Sequence, residues 1–161
     1  MSKTVIVTGA SRGIGHAISL YYAKKGFNVC VCCHKNADML DSLKDEIENI
    51  GADCMTYVGN IGIFENAAEF FSLIKERFGK ADILINNAGI SYIGLLQDMT
   101  PSDWNNIITS NLTSVFNCCK LAIPIMLGSH EGKIINISSV WGCVGASTEV
   151  AYSATKGGIN A

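Results

Sequence analysis

Five short apolar runs constrain this chain more than any other feature, because none carries an internal charge. They are TVIVTG (4–9), NVCVCC (28–33), DCMTYVG (53–59), DILINNAG (82–89) and KIINISS (133–139). Apolar residues that follow one another without alternation mark strands covered on both faces, as in a parallel sheet. A strand with one wet face would alternate.

Between the runs the period changes to that of a helix. Ile14, Ala17, Ile18 and Tyr21 recur at helical spacing, with Gly26 as a C-terminal cap after Lys24 and Lys25. Leu40, Leu43, Ile47 and Ile50 form a second stripe before Gly51, and Phe71, Ile74 and Phe78 a third within 63–78. A longer pattern over 103–127 reads as two helices or one bent one, with Pro124 disturbing its last turns. A final helix begins near Ala151. This order predicts an α/β fold in one domain over 1–161: a doubly wound parallel sheet, Rossmann-like, with right-handed crossovers.

Composition narrows the function classes. With 161 residues, 48% of them apolar and 16% charged, the chain can bury a sizeable core. A formal net charge of −2 argues against a dedicated nucleic-acid binder, which carries a basic excess. No uninterrupted apolar run approaches the ~18 residues that span a bilayer. The apolar part of MSKTVIVTGAS is too short for a secretory leader. A cytoplasmic protein with no membrane partner is expected. Of the seven cysteines, Cys30, Cys32 and Cys33 fall in an apolar run, where cysteine acts as a small buried hydrophobe. No His stands at zinc-finger spacing, so structural thiols and no metal are expected.

In an open parallel sheet, ligands bind beyond the carboxyl ends of the strands. The first run delivers GASRGIG (9–15) there, the third Gly59 and Asn60, the fourth Asn86 to Gly89, the fifth Ser138 and Ser139. The glycines follow GxxxGxG. Gly9 lets the chain turn sharply, Gly13 permits close backbone approach, and Gly15 lets the helix pack tightly on the strand. The helix N-terminus then offers free amides and partial positive charge to a pyrophosphate. An ordinary strand-to-helix turn uses the same residues, so the loop alone does not choose.

Tyr152 and Lys156 of YSATK share one helical face at i and i+4. A nearby ammonium favours the phenolate of a tyrosine that works as acid and base. A surface YxxxK pair is the alternative. Thirteen residues before Tyr152, Ser139 closes the fifth run. Alternation sends Ser138 and Ser139 to opposite faces, so one of them can serve that cleft.

Taken together, these residues resemble the short-chain dehydrogenase/reductase family. TGASRGIG resembles its cofactor loop, NNAG its fourth-strand motif, and Ser139 with YSATK its catalytic signature, in order from Thr4 to Ala161. Within the family, SRGIG, NNAGI, SNLTSVF and INISSVWG resemble the 3-oxoacyl-(acyl-carrier-protein) reductase-like branch. The resemblance implies strand order 3-2-1-4-5 and hydride transfer between nicotinamide and a carbonyl or alcohol substrate, with a 3-oxoacyl thioester among the candidates.

It further implies a catalytic set of Asn111, Ser139, Tyr152 and Lys156. Tyr152 would exchange a proton with the substrate oxygen and Ser139 would orient that oxygen. Lys156 would hold the nicotinamide ribose and Asn111 would anchor a water. Cofactor contacts are implied for Gly9, Ser11, Arg12, Gly13, Ile14, Gly15, His34, Asn60, Ile61, Asn87, Ala88, Gly89, Tyr152 and Lys156. A nucleotide-binding regulator or scaffold without turnover is the competing reading.

An acidic residue after the second strand would bind the adenine ribose of NAD and repel a 2′-phosphate. Here the strand runs into His34, Lys35 and Asn36, with no carboxylate until Asp38, and Arg12 adds another cation. NADP(H) is therefore expected over NAD(H), the alternative being that Arg12 and Lys35 are solvated surface charges. Asn60 stands where many relatives carry an aspartate that contacts adenine. GSHEGK (128–133) is less basic than the matching segment of carrier-protein reductases, which weakens an acyl carrier protein as partner. Trp141, Gly142 and Cys143 either line the substrate pocket or pack. The resemblance implies a homodimer or homotetramer. Family members continue for two more strands, so the chain is expected to be an N-terminal portion, inactive or poorly folded alone, with its fifth strand an exposed edge; a truly short protein is the alternative.

Overall fold

The computed structural model describes residues 2–129 and 131–161. Met1 and His130, the latter within GSHEGK, lie outside the described residues. Strands β1 (Thr4–Thr8), β2 (Asn28–Cys33), β3 (Cys54–Val58), β4 (Ile83–Asn86) and β5 (Lys133–Asn136) form one parallel sheet in the order β3-β2-β1-β4-β5. Between them run helices α1 (Gly13–Lys24), α2 (Ala37–Asn49), α3 (Phe64–Phe78), α4 (Pro101–Ile108) and α5 (Ser114–Ser129). Helices α6 (Trp141–Val144) and α7 (Val150–Asn160) follow β5. The chain winds outward from β1 to β3 and then returns to β4, so the connections part between β1 and β4. A crevice opens at such a switch point.

Strand alternation builds two cores. Val5, Val7, Val29, Val31 and Ile85 face the apolar side of α1 and α2, with Leu40, Leu43 and Ile47. Ile6, Cys30, Cys32 and Leu84 face α3 and α5, with Phe70, Phe71, Ile74, Cys118 and Ala122. Coverage on both faces is the physical reason that the runs do not alternate. Each fully buried Leu or Ile in these layers contributes about 1.5–3 kcal/mol by leaving water. β5 stands at the sheet's edge, with Lys133, Ile135 and Asn136 exposed.

Helix α1 departs from its expected stripe. Ile14 is 62% exposed and Tyr21 57%, and the inner face is Gly15, Ser19 and Ala23. Small residues bring this helix close to the sheet: a Cβ on Gly15 would stand 2.5 Å from Gly9 O. Close approach, not apolar bulk, selects the face. In α2, Leu40, Leu43 and Ile47 are buried as expected, while Ile50 lies past the helix end and is exposed.

The 103–127 pattern is one bent path that begins slightly earlier. Thr100 Oγ1 accepts from Asp103 N at 3.1 Å, Thr100 N donates back to Asp103 Oδ2 at 3.2 Å, and Pro101 follows at the first helical position. A π turn at Thr109–Thr113 joins α4 to α5. The interruption lies there and not at Pro124, which sits inside α5. By length and composition alone, the 28-residue path Pro101–Gly128 is long and apolar enough to cross a membrane, a property that core helices share. Along it, Ile107, Asn111, Ser114, Cys118, Ala122 and Met126 are buried at helical spacing.

A candidate active site at the carboxyl ends of the strands

The loop after β1 holds Gly9 at φ 65° and Gly13 at φ 62°, backbone states that side chains disfavour. Gly9 passes so near β4 that an added Cβ would stand 2.7 Å from Ala88 Cα. Thr8 and Asn87 join the two strand ends. Thr8 Oγ1 accepts from Asn87 N at 3.1 Å and from Ala88 N at 3.0 Å. Asn87 Nδ2 donates to Thr8 O and to Gly9 O, each at 3.0 Å. The run 82–89 therefore ceases to be strand at Asn86, because Asn87 turns to serve β1.

Over this junction lies a cavity of about 620 Å³, at the N-terminus of α1. Its wall includes Gly9, Ser11, Arg12, Gly13, Ile14, His34, Asn60, Ile61, Asn87, Ala88 and Gly89. Arg12, His34 and Lys35 stand in the wall and no Asp or Glu does. Cys32 and Cys33 also reach it; burial pushes the Cys32 thiol up to about 12 and raises that of Cys33, so neither contributes an anion. A pocket of this size, with cations, free amides and no carboxylate, suits a phosphorylated ligand. Gly15 lies beneath the wall, where a Cβ would stand 2.6 Å from Asn87 Nδ2.

Amide side chains set the corner at Asn60. Asn60 Oδ1 accepts from Gly62 N at 3.0 Å, and Asn66 Nδ2 donates to Asn60 O at 3.3 Å. Asn117 Nδ2, from α5, donates to Ile61 O at 3.0 Å and Gly62 O at 3.2 Å. Asn60 thus already uses one acceptor position within the loop.

Beyond Gly89 and outside the cavity wall itself, the structure gathers Asn111, Tyr152 and Lys156. Asn111 is fully buried on the π turn, its Oδ1 accepting from Ile90 N and its Nδ2 donating to Ile90 O, both at 2.8 Å. Lys156 is buried in α7, donates from Nζ to Ile137 O at 2.6 Å, and sits 5.5 Å from the Tyr152 ring centroid. Burial lowers the Lys156 pKa below its usual value. A Cβ on Gly89 would stand 3.4 Å from Asn111 Oδ1 and 3.9 Å from Lys156 Nζ, which links this group to the cavity wall.

The two serines lie beyond β5, so their division follows loop geometry, not strand alternation. Ser138 Oγ donates to Lys156 O at 3.2 Å, while Ser139 Oγ accepts from Trp141 N at 3.2 Å and keeps its own proton. Trp141, Gly142 and Cys143 lie in α6, outside the cavity wall; Gly142 packs, a Cβ on it standing 2.7 Å from Lys156 O, whereas Trp141 and Cys143 are exposed. Asn86 does not reach the rim. It is buried in the sheet, with Nδ2 donating to Asn136 Oδ1 at 2.8 Å.

Residue patterns overlooked Thr8, Ile90, Asn106, Ser110 and Thr155. Thr8 had a signal, a polar residue at a strand end directly before the glycine loop. Asn106 and Ser110, both in the wall, are spaced by one helical turn. Ile90 acts through its backbone and leaves no signal.

Comparison with known proteins follows the same lines. The family description "short chain dehydrogenase" matches residues 3–161. A 3-oxoacyl-[acyl-carrier-protein] reductase of Staphylococcus aureus is 41% identical over 162 residues, covering 99% of this chain and 65% of its own length. The enzyme of that name from Thermotoga maritima is 35% identical over 157 residues, covering 98% of this chain and 63% of its own. The chain thus spans just under two thirds of the length of these relatives. A metagenomic short-chain oxidoreductase solved in complex with NADP superposes with a TM-score of 0.93 at 31% identity, over 98% of this chain and 70% of that one.

Proposed function

The chain belongs to the short-chain dehydrogenase family, and from that premise we propose that the complete protein is an NADP(H)-dependent oxidoreductase acting on a carbonyl or alcohol substrate. One observation carries this reading: a cation-bearing cavity without carboxylates has in its wall Gly89, where an added Cβ would stand 3.9 Å from Nζ of the buried Lys156. The residues present fit the cofactor, since the close approach of Gly9 to Ala88 leaves no room for a side chain and keeps the cradle open. When bound, the nicotinamide supplies or takes up the hydride.

The chain's own groups do the rest. The amides at the N-terminus of α1 receive the pyrophosphate, with Ser11, Gly13 and Ile14 around it. Arg12, His34 and Lys35 receive the 2′-phosphate, and Asn60 and Ile61 the adenine. Asn87, Ala88 and Gly89 flank the nicotinamide half, and Lys156 holds its ribose. Ser139, with its proton free, orients the substrate oxygen. In reduction the Tyr152 hydroxyl gives that oxygen its proton, and in oxidation the phenolate takes it back. Asn111 fixes the Ile90 backbone and anchors the water that returns the proton.

The names of the relatives support a 3-oxoacyl thioester as substrate. The 128–133 segment, in which Glu131 offsets Lys133, makes an acyl carrier protein the less supported way of presenting it. Seven unpaired thiols suit a reducing compartment and support a cytoplasmic location. The family resemblance supports a homodimer or homotetramer, with 1–161 contributing the cofactor-binding unit.

The test is the complete protein with NADPH and a carbonyl panel that includes a 3-oxoacyl thioester. Turnover is expected, reduced about 100-fold or more in Tyr152→Phe. NADPH binding with no turnover on any carbonyl would instead favour a nucleotide-binding regulator.

A further inference from the structure

Thr155 stands between Tyr152 and Lys156, fully buried on the inner side of α7. A buried hydroxyl needs partners. Thr155 Oγ1 donates to Tyr152 O at 2.7 Å and thereby spends its one proton. Towards Asn111 it can act as an acceptor, and Asn111 Nδ2 donates to it at 3.3 Å. The amide's other bonds go to the Ile90 backbone. An unbroken run of hydrogen bonds therefore leads from the cavity wall at Ile90, through the π turn, into the first turns of α7.

Other ties to α7 pull elsewhere. Ser138 Oγ to Lys156 O and Lys156 Nζ to Ile137 O hold it to the end of β5. Ser91 to Glu149, and Gly94 N to Thr148 O at 2.9 Å, join the loop after β4 to residues just before the helix. Among the described residues, Thr155 is the buried polar link between the body of α7 and the π turn that carries Asn111.

We propose that Thr155 is a positioning residue whose hydroxyl ties α7 to Asn111 and holds Tyr152 and Lys156 at a set offset from the Gly89–Ile90 wall. The purpose of that offset rests on the oxidoreductase reading above. An unheld helix would still carry both side chains, but would misplace the proton donor relative to the hydride. Misplacement of this kind slows the chemical step more than it weakens the hold of Lys156 on the cofactor.

The experiment compares complete wild-type protein with Thr155→Val, which keeps the branched shape, and Thr155→Ser, which keeps the hydroxyl. Two readouts are taken: NADPH kinetics with cofactor deuterated at the transferred position, and the nuclear Overhauser effect between Gly89 and the Lys156 side chain. In Thr155→Val, kcat is expected to fall about tenfold or more while the NADPH KM rises by a smaller factor, and the isotope effect to rise. The Gly89–Lys156 effect should weaken, and Thr155→Ser should restore both readouts. If Thr155→Val does not fold, Thr155→Ala takes its place with the same expectations. A folded variant with wild-type kcat and an unchanged Gly89–Lys156 contact would overturn the proposal. Equal damage from Thr155→Ser would overturn it too, because packing would then be the cause. Wild-type protein without turnover speaks against the oxidoreductase reading, and the Gly89–Lys156 contact in the two variants then decides the role of Thr155.

Discussion

Lys156 Nζ donates to Ile137 O at 2.6 Å, so a backbone carbonyl just past β5 holds a buried ammonium. That carbonyl offsets part of the cost of burial, yet the lysine still titrates below its usual 10.5. Between the lowered folded-state value and 10.5, the unfolded chain binds more protons than the folded one, so stability rises with pH across that window. Lys156→Met removes the titrating site. Urea unfolding of both proteins from near-neutral pH to about pH 10 should show the difference moving in the wild type's favour as pH climbs. A difference that stays flat would refute the burial argument.

The glycines of the first loop should rank by what surrounds them. Gly13→Ala meets nothing within 4 Å and should cost about 1 kcal/mol, from its positive φ alone. Gly15→Ala must push a methyl to 2.5 Å from Gly9 O, so it should cost the larger share of about 1–3 kcal/mol and disturb the Asn87 bridge. Denaturant midpoints of the two variants check the order. Equal midpoints would mean that α1 can move off the sheet freely.

Charge at the adenine-ribose end should separate the two nicotinamide cofactors. Arg12→Ala with Lys35→Ala removes two cations from a wall that holds no carboxylate. The KM for NADPH should rise about tenfold or more, at roughly 1.5–3 kcal/mol per charged hydrogen bond, while that for NADH changes little. No change for either cofactor would place these side chains in bulk solvent, and a parallel rise would place them on the shared pyrophosphate.

The buried thiols should resist alkylation in the folded protein. Burial pushes Cys32 and Cys54 up to about 12 and raises Cys30 and Cys118 well above the usual thiol range. Since the thiolate is the reactive form, a maleimide at neutral pH should label these four only after denaturant is added. Mass spectrometry of the labelled peptides gives the rates. Rapid labelling of Cys54 under native conditions would show that β3 opens.

The strands were legible in the sequence because burial on both faces leaves an apolar run that a helix of those lengths does not match. The buried side of α1 was not, since Gly15, Ser19 and Ala23 pack by smallness and carry no hydrophobic stripe. The glycine loop announced itself through spacing and position. Asn111 came from family resemblance alone: it works through an amide on a π turn, and helical periodicity says nothing about such a turn. The roles of Ser138 and Ser139 could not be read by alternation, because β5 ends at Asn136 and both lie in a loop.

The π turn at Thr109–Thr113 sets the phase of everything after it. A residue occupies about 100° of an α-helix, so one residue removed there would leave a helix but rotate α5 by about that angle against α4. On one side of the turn the chain is pinned at Gly62, where a Cβ would stand 2.5 Å from Thr109 O; on the other, Asn117 reaches back to that same loop. Asn111 meanwhile points the opposite way, to Ile90 and Thr155. Substitutions within 109–113 and deletions within it are therefore different kinds of event. The first changes a contact, whereas the second puts the two ends of the cavity out of step.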